Sequence, residues 1–570
     1  MKTKKLVLTT LAFVILIIMV VTACSSPTTT TPPPTTQAPQ TTQAPPATTG
    51  LPPAPTVTQP LQTAPPQTTT QAPQTTAPTT AAQPVYGGTL RIIRGSLPNV
   101  LGFPPEFGPN DSILAQPVLE RLTEWDNKGN SIPLLAERWT VDTTANTITW
   151  FLRKGVKFHD GTDFNAETVR WNFQQGIDTR SLTGFQHVKS LDVLDSHTIR
   201  MNLATLTTMM VVNYGWRQQI SPTAFTNAGG GDFEKSKVWA RANSVGTGPF
   251  RVVQFQRDNM MRFVKNQNYW RSGFPYLDAI EIRLITDTMT ASAMMEAKQA
   301  DVWDDVSAVQ NIVDLTEKRG LKTNWGPGMF WSILPNSSNV NSPTSKKEVR
   351  EAIELAIDRP ALANMIGMGK FEPLTQMAPR NFPGYNDGFN PRPYNVDKAK
   401  QLLAAAGYPT GFKTKILITS AGTDAATAIK AYLAAVGIDV TIDIADMGRY
   451  FGELFGTGFT NDLVWAASGI NPDGTDLFVH FGPTPMTFRT GNILKSQAYL
   501  DLCNRALVTF DHAAHMDLLK KAVKQAGDDA MVIPVYRSVA NTVYQSYVTT
   551  DYFRIHGVIW PTHSIWMDKK

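Results

Sequence analysis

Lys413-Thr-Lys-Ile-Leu-Ile-Thr419, Ile438-Asp-Val-Thr-Ile-Asp-Ile444 and Asp462-Leu-Val-Trp-Ala-Ala467 are short β-rich runs separated by helical sequence. Thr423–Val436 reads as a helix between the first two, and Met447–Phe455 as a helix between the second and third. Strands and helices alternating at this length argue βαβ units, a mostly parallel sheet and therefore an α/β fold. Upstream, Val349, Ala352, Ile353, Ala356 and Ile357 hold one helical face until Asp358-Arg-Pro360 stops it. Asp397–Gly407 is a further helix closed by glycine. Downstream, helices around Ala498–Thr509 and His512–Gln525 lead to a strand at Val532–Tyr536.

The part of the folded body before Lys346 has a different texture. Tyr86-Gly-Gly-Thr-Leu-Arg-Ile-Ile93 reads as a strand entered through glycines. Thr147–Leu152, Thr198–Leu203 and Ile280–Ile285 also read as strands, and the last two alternate apolar with polar residues, which suits half-buried positions. This half is mainly β with short helices.

The N-terminus is a targeting segment. Lys2, Lys4 and Lys5 precede an apolar and threonine-bearing run from Leu6 to Val21, short of the ~20 residues that span a bilayer. Val21-Thr-Ala-Cys24 then resembles the lipobox of bacterial lipoproteins, in which the cysteine is acylated and the chain is cut just before it. The resemblance implies a signal peptide over 1–23 and lipidation of Cys24; the competing reading is an uncleaved signal anchor. Residues 24–85 are almost wholly Thr, Pro, Gln, Ala and Ser, which cannot bury enough apolar area to offset ordering entropy. A disordered stalk is expected, and ~60 extended residues reach on the order of 150 Å.

The formal charge is +5 and falls to +2 once the three lysines of Met1–Ala23 are removed. That excludes a basic nucleic-acid footprint. Cys503 is the only cysteine besides Cys24, so no disulfide framework is expected, and its helical spacing with Leu500 and Leu507 implies a buried, inert thiol.

Catalytic signals are weak. No G-x-S-x-G, S-x-x-K, H-E-x-x-H or P-loop pattern occurs. In Val245-Gly-Thr-Gly-Pro-Phe250, Pro249 removes a donor where a phosphate-cradling helix would begin, so a structural turn is expected. His512 and His515 read as a solvated helix face, and His159-Asp160 as a hairpin corner. Neither a cofactor nor a metal is expected. Aromatic residues are more suggestive: Phe330-Trp331, Tyr450-Phe451, Trp465, Phe478, Phe481 and Phe488 fall in or near loops of the α/β half. Trp465 is the leading cavity candidate, near the carboxyl end of an expected parallel strand.

Several ordered runs together resemble the family 5 extracellular solute-binding proteins of ABC importers, the dipeptide, oligopeptide and nickel receptors. They are Gly87-Gly-Thr-Leu90, Pro133–Trp139, Phe151–Thr162, Gly246–Phe250, Asn268-Tyr-Trp270, Val349–Ile353, Ala356–Arg359, Lys398–Tyr408 and Ile533–Tyr536. The resemblance implies a type II periplasmic-binding-protein flytrap with two α/β lobes and an extra β-rich domain. Lobe I would comprise 86–124, 216–303 and 537–570; lobe II 125–215; lobe III 304–536. Lobes I and III would close around the ligand by hinge motion, presenting a closed form to the permease.

Peptide-binding members carry a Trp-x-Ala-Asp-Tyr-like run whose Asp pairs with the peptide α-amino group. Here the run is Trp465-Ala-Ala-Ser-Gly469, so Ser468 holds the Asp slot. Either Asp473 or Asp476 substitutes, or the ligand has no free amine. Trp331 and Phe330 are candidate cavity walls, and Arg489 a candidate partner for a ligand carboxylate. The expectation is a monomeric, lipid-anchored, non-enzymatic receptor for a small solute or peptide, partnered with ABC permease subunits. A stalked surface hydrolase, or a sensory or adhesion module that kept the fold, are the alternatives.

Overall fold

Three sheets carry the architecture of the computed structural model. It describes residues 83–569 apart from 127–129, 182–183, 305, 307, 324, 470, 472, 475, 484–491, 540–541 and 551–559. The signal peptide, Cys24 and nearly all of the expected stalk lie outside the described residues, as do Arg489 and Phe488.

The first sheet has seven strands. At its centre Thr89–Arg94 pairs in parallel with Ala279–Leu284 and Val302–Asp304. Met260–Lys265 and Phe250–Gln256 extend one side antiparallel; Thr542–Tyr544 and Lys322–Thr323 extend the other. The second is a four-stranded antiparallel sheet in the order Ala136–Asp142, Thr147–Leu152, Thr198–Leu203, Val188–Asp195. The expected alternation is visible there: every second residue of Thr147–Leu152 and Thr198–Leu203 is buried, and helix Ala166–Asp178 packs over these strands.

The third sheet grows from the stretch that decides the fold class. Phe412–Ile418 pairs in parallel with Ile438–Ile444 and with Leu463–Ser468. Beyond that point the expected mostly parallel sheet is corrected. Pro327–Pro335 joins Leu463–Ser468 antiparallel, and Ile533–Val539 and Glu372–Pro373 continue antiparallel. Strand Pro327–Pro335 arrives directly from the first sheet without a crossover helix, so nothing in the chain path imposes a parallel register on it. Helices Lys347–Ala356, Val396–Ala405 and Thr423–Ala434 bury one face of this sheet; Gln497–Leu507 and His512–Asp528 bury the other.

The chain passes between the first and third sheets twice, between Thr323 and Pro327 and between Val539 and Thr542. The breaks read from sequence, at 303/304 and 536/537, fall short of both crossings, because Lys322–Thr323 still pairs in the first sheet and Ile533–Val539 stays in the third.

Several runs that looked like family spelling have mechanical reasons. Arg350, buried in helix Lys347–Ala356, donates to the carbonyls of Thr344, Ser345, Asp529 and Ala530. It thereby satisfies acceptors at the end of helix His512–Asp528. Asp358 caps the next helix by accepting from the Ala361 amide at 3.0 Å. The glycines of Gly246-Thr-Gly248 have no room for a side chain: a Cβ on Gly246 would lie 2.1 Å from the Val118 carbonyl, and one on Gly248 2.5 Å from that of Pro117. The turn is a close backbone approach, as its proline implied.

Candidate functional site

Strand alternation decides which candidate side chains can meet. Phe330 lies opposite Ser468, and Trp331 opposite Ala467, while Ile333 lies opposite Trp465. Directly opposed residues share a face of the sheet, and successive residues alternate. Phe330 and Ser468 therefore sit on one face, Trp331 and Trp465 on the other.

Phe330 and Ser468 line a partly open cavity. Its walls come from the loop Met377–Pro383, the turn after Ser468, helix Asp476–Phe481 and Val523 of helix His512–Asp528. Among the described residues of its lining none is Asp, Glu, Lys or Arg, and Ser468, Asn471 and His480 are the polar side chains. Ser468 is buried, at 3% exposure. An ammonium group placed here would meet no carboxylate among the described lining residues.

Trp465, the leading cavity candidate, is not among the lining residues of this cavity. It is 2% exposed inside the core that joins the sheet to helices Lys347–Ala356 and Thr423–Ala434. It stacks on Trp331 at 5.4 Å and meets Tyr536 edge-on at 5.5 Å. Trp331 packs against the same core. Neither lines the cavity, because each stands one residue out of phase with it. Asp473 lies in the turn after Ser468, half-buried and outside the lining. Asp476 opens helix Asp476–Phe481, and its side chain is outside the described part. Of the other aromatics, Phe481 lines the cavity, Phe478 is core, and the Tyr450 hydroxyl donates to the Trp465 carbonyl at 2.8 Å.

Sequence reading missed two charged residues in the same row. Arg537 is opposite Phe330, and Glu372 is opposite Arg537, so Glu372, Arg537, Phe330 and Ser468 run side by side across four strands. Arg537 pairs with Glu372 at 2.5 Å and lies over the ring of Phe382, a cavity wall, at 5.4 Å. Burial lowers the Arg537 pKa from its ordinary value, with Glu372 opposing the shift. The Pro-bearing segment Ala378-Pro-Arg-Asn-Phe-Pro383, apolar yet outside any periodic element, was the signal for the missed wall.

Among the described residues no group of three or more His, Cys, Asp or Glu is placed to hold a metal ion. His515 Nδ1 is 2.9 Å from the Ala506 carbonyl, and burial lowers its pKa. His159 Nε2 is 2.9 Å from the Gly248 carbonyl, with burial pushing the imidazole down to about 4. Asp160 accepts from Ser221 and Thr162. Cys503 is fully buried and its thiol is pushed up to about 11. No helix among the described residues is long and apolar enough to cross a membrane.

Known proteins share this fold. The profile of bacterial extracellular solute-binding proteins, family 5 (middle region), matches residues 130–480. The glutathione-binding protein GsiB of Shigella flexneri is 29% identical over 420 residues, covering 70% of this chain and 80% of that protein. The periplasmic binding protein DppA of Helicobacter pylori, solved with the peptide STSA, superposes with a TM-score of 0.73 at 25% identity, over 85% of this chain and 99% of that one. NikA of Brucella suis, solved with Fe(III)-EDTA, gives a TM-score of 0.72 at 20% identity, over 84% of this chain and 100% of that one. The fold is accordingly α/β, of the multi-lobed type II periplasmic-binding-protein kind.

Proposed function

The chain belongs to family 5 of the bacterial extracellular solute-binding proteins, the substrate-binding components of ABC importers, and on that premise we propose a lipid-anchored receptor for a small solute without a free ammonium group. It performs no chemistry on that solute. The observation that carries the ligand class is the cavity beside Ser468, whose described lining residues include no carboxylate. A buried ammonium without a charge partner costs several kcal/mol in effective terms. An N-blocked peptide or another amine-free solute avoids that cost. The relatives' printed ligands, glutathione and the peptide STSA, support a peptide-sized solute.

Calorimetric titration of wild-type protein with Leu-Leu and N-acetyl-Leu-Leu tests the ligand class. Wild type is expected to favour the acetylated form by tenfold or more, and Ser468→Asp to reverse that preference. A free-amine dipeptide bound by wild type as tightly as its acetylated form would sink the proposal.

Cys24 gives the receptor its place. Tethering raises its effective concentration near the permease, and the Thr/Pro stalk sets the search radius. Cys24→Ala is expected to abolish metabolic labelling with radioactive palmitate and to shift the protein from the membrane pellet to the soluble fraction. Unchanged labelling of the variant would remove Cys24 as the anchor.

A further inference from the structure

Arg537 lies between two cavities. On one side is the cavity of Phe330, Phe382 and Ser468; on the other is a partly open cavity lined by Trp325, Gly326, Lys370, Glu372, Arg537 and Ser538 among others. The second cavity lies where the chain crosses between the sheets, since Trp325 and Gly326 belong to one crossing and Val539 borders the other. Its lining carries two cations, Lys370 and Arg537, against one carboxylate, Glu372. Lys370 lies 5.0 Å from the Trp325 ring and 3.2 Å from Glu317.

We propose that Arg537, assisted by Lys370, is the recognition site for a carboxylate on the transported solute, whose apolar part occupies the neighbouring Phe330–Phe382 cavity. This rests on the receptor reading above and deepens it, giving the ligand as an amphipathic organic acid.

Three observations converge. The guanidinium carbon lies 5.4 Å from the centre of the Phe382 ring, which places the charge against the apolar wall. Arginine's planar fork matches a carboxylate bidentately, and its low hydration suits a half-buried position. Glu372, itself part-exposed at 29%, pairs with one Nη of Arg537 through Oε2, while its Oε1 accepts from the Arg380 amide, so an exposed carboxylate already reaches this guanidinium. Without ligand, Glu372 keeps the arginine from being an unpaired buried charge; a solute carboxylate exchanges with it. That exchange is an internal competition, and removing the competitor has a defined sign. Placement at a crossing also puts the bound charge beside a segment that must move when the lobes close.

The test is calorimetry on the full mature chain with N-acetyl-Leu-Leu and its C-terminal carboxamide. Wild type is expected to bind the acid at least tenfold more tightly than the amide. Arg537→Gln should reduce that preference below threefold. Glu372→Gln, which keeps the shape of the side chain, should raise the acid-over-amide preference severalfold above wild type, so the assignment does not depend on the arginine variant folding. Equal binding of acid and amide by wild type overturns the carboxylate assignment and leaves the receptor reading intact. A lower acid-over-amide preference in Glu372→Gln overturns it as well. Failure of both probes to bind overturns both readings together.

Discussion

Trp465→Ala is expected to destabilise the protein by about 3–5 kcal/mol, the range for removing a fully packed tryptophan, while leaving solute affinity of the folded molecules within about threefold. The reason is placement. Trp465 is in contact with Trp331 and Tyr536 on the helix-covered face, and its indole also fills the space above Gly422, where an added Cβ would come within 2.8 Å of it. The alanine variant opens a void that three rigid neighbours cannot close. Urea denaturation followed by circular dichroism measures the loss, and titration of the variant with a bound solute measures affinity. A variant that melts like wild type yet loses binding by a hundredfold would return Trp465 to the site.

The same residue shows where sequence reasoning reaches its limit. Its strand was legible, because Leu463-Val-Trp-Ala-Ala-Ser468 is an apolar run between helical segments; so were its parallel neighbours Phe412–Ile418 and Ile438–Ile444. The phase of the strand was not. A strand buried on both faces, as Leu463–Ser468 is, has no polar alternation to say which residues face which layer. A one-residue difference in phase separates Ser468 from Ala467 and so cavity from core. Arg537 and Glu372 were illegible for a related reason: they come together only through strand pairings between residues 165 positions apart. Ser468, by contrast, was found from local spelling alone, and its place in the cavity lining follows from its register with Phe330.

Glu354→Ala is expected to cost about 3–5 kcal/mol, the range for breaking a buried ion pair by removing one partner. Glu354 is 1% exposed and accepts from Arg359 at 2.7 Å and from Arg392 at 2.5 Å, both buried themselves. Arg359 also donates to the Arg392 carbonyl, and Arg392 to the Gly527 carbonyl. One carboxylate thus ties helix Lys347–Ala356 to the start of helix Arg359–Gly367 and to the end of helix His512–Asp528. Its loss leaves two guanidinium groups in a space with too few acceptors, and the penalty is their uncompensated burial more than the lost attraction. Arg359→Met should accordingly cost less in the Glu354→Ala background than in wild type, a coupling of at least about 1 kcal/mol in a double-mutant cycle. Additive costs, or a single-variant loss below about 1 kcal/mol in urea denaturation, would mean that water or a neighbouring carboxylate such as Glu351, 3.5 Å from Arg392, takes over the charge.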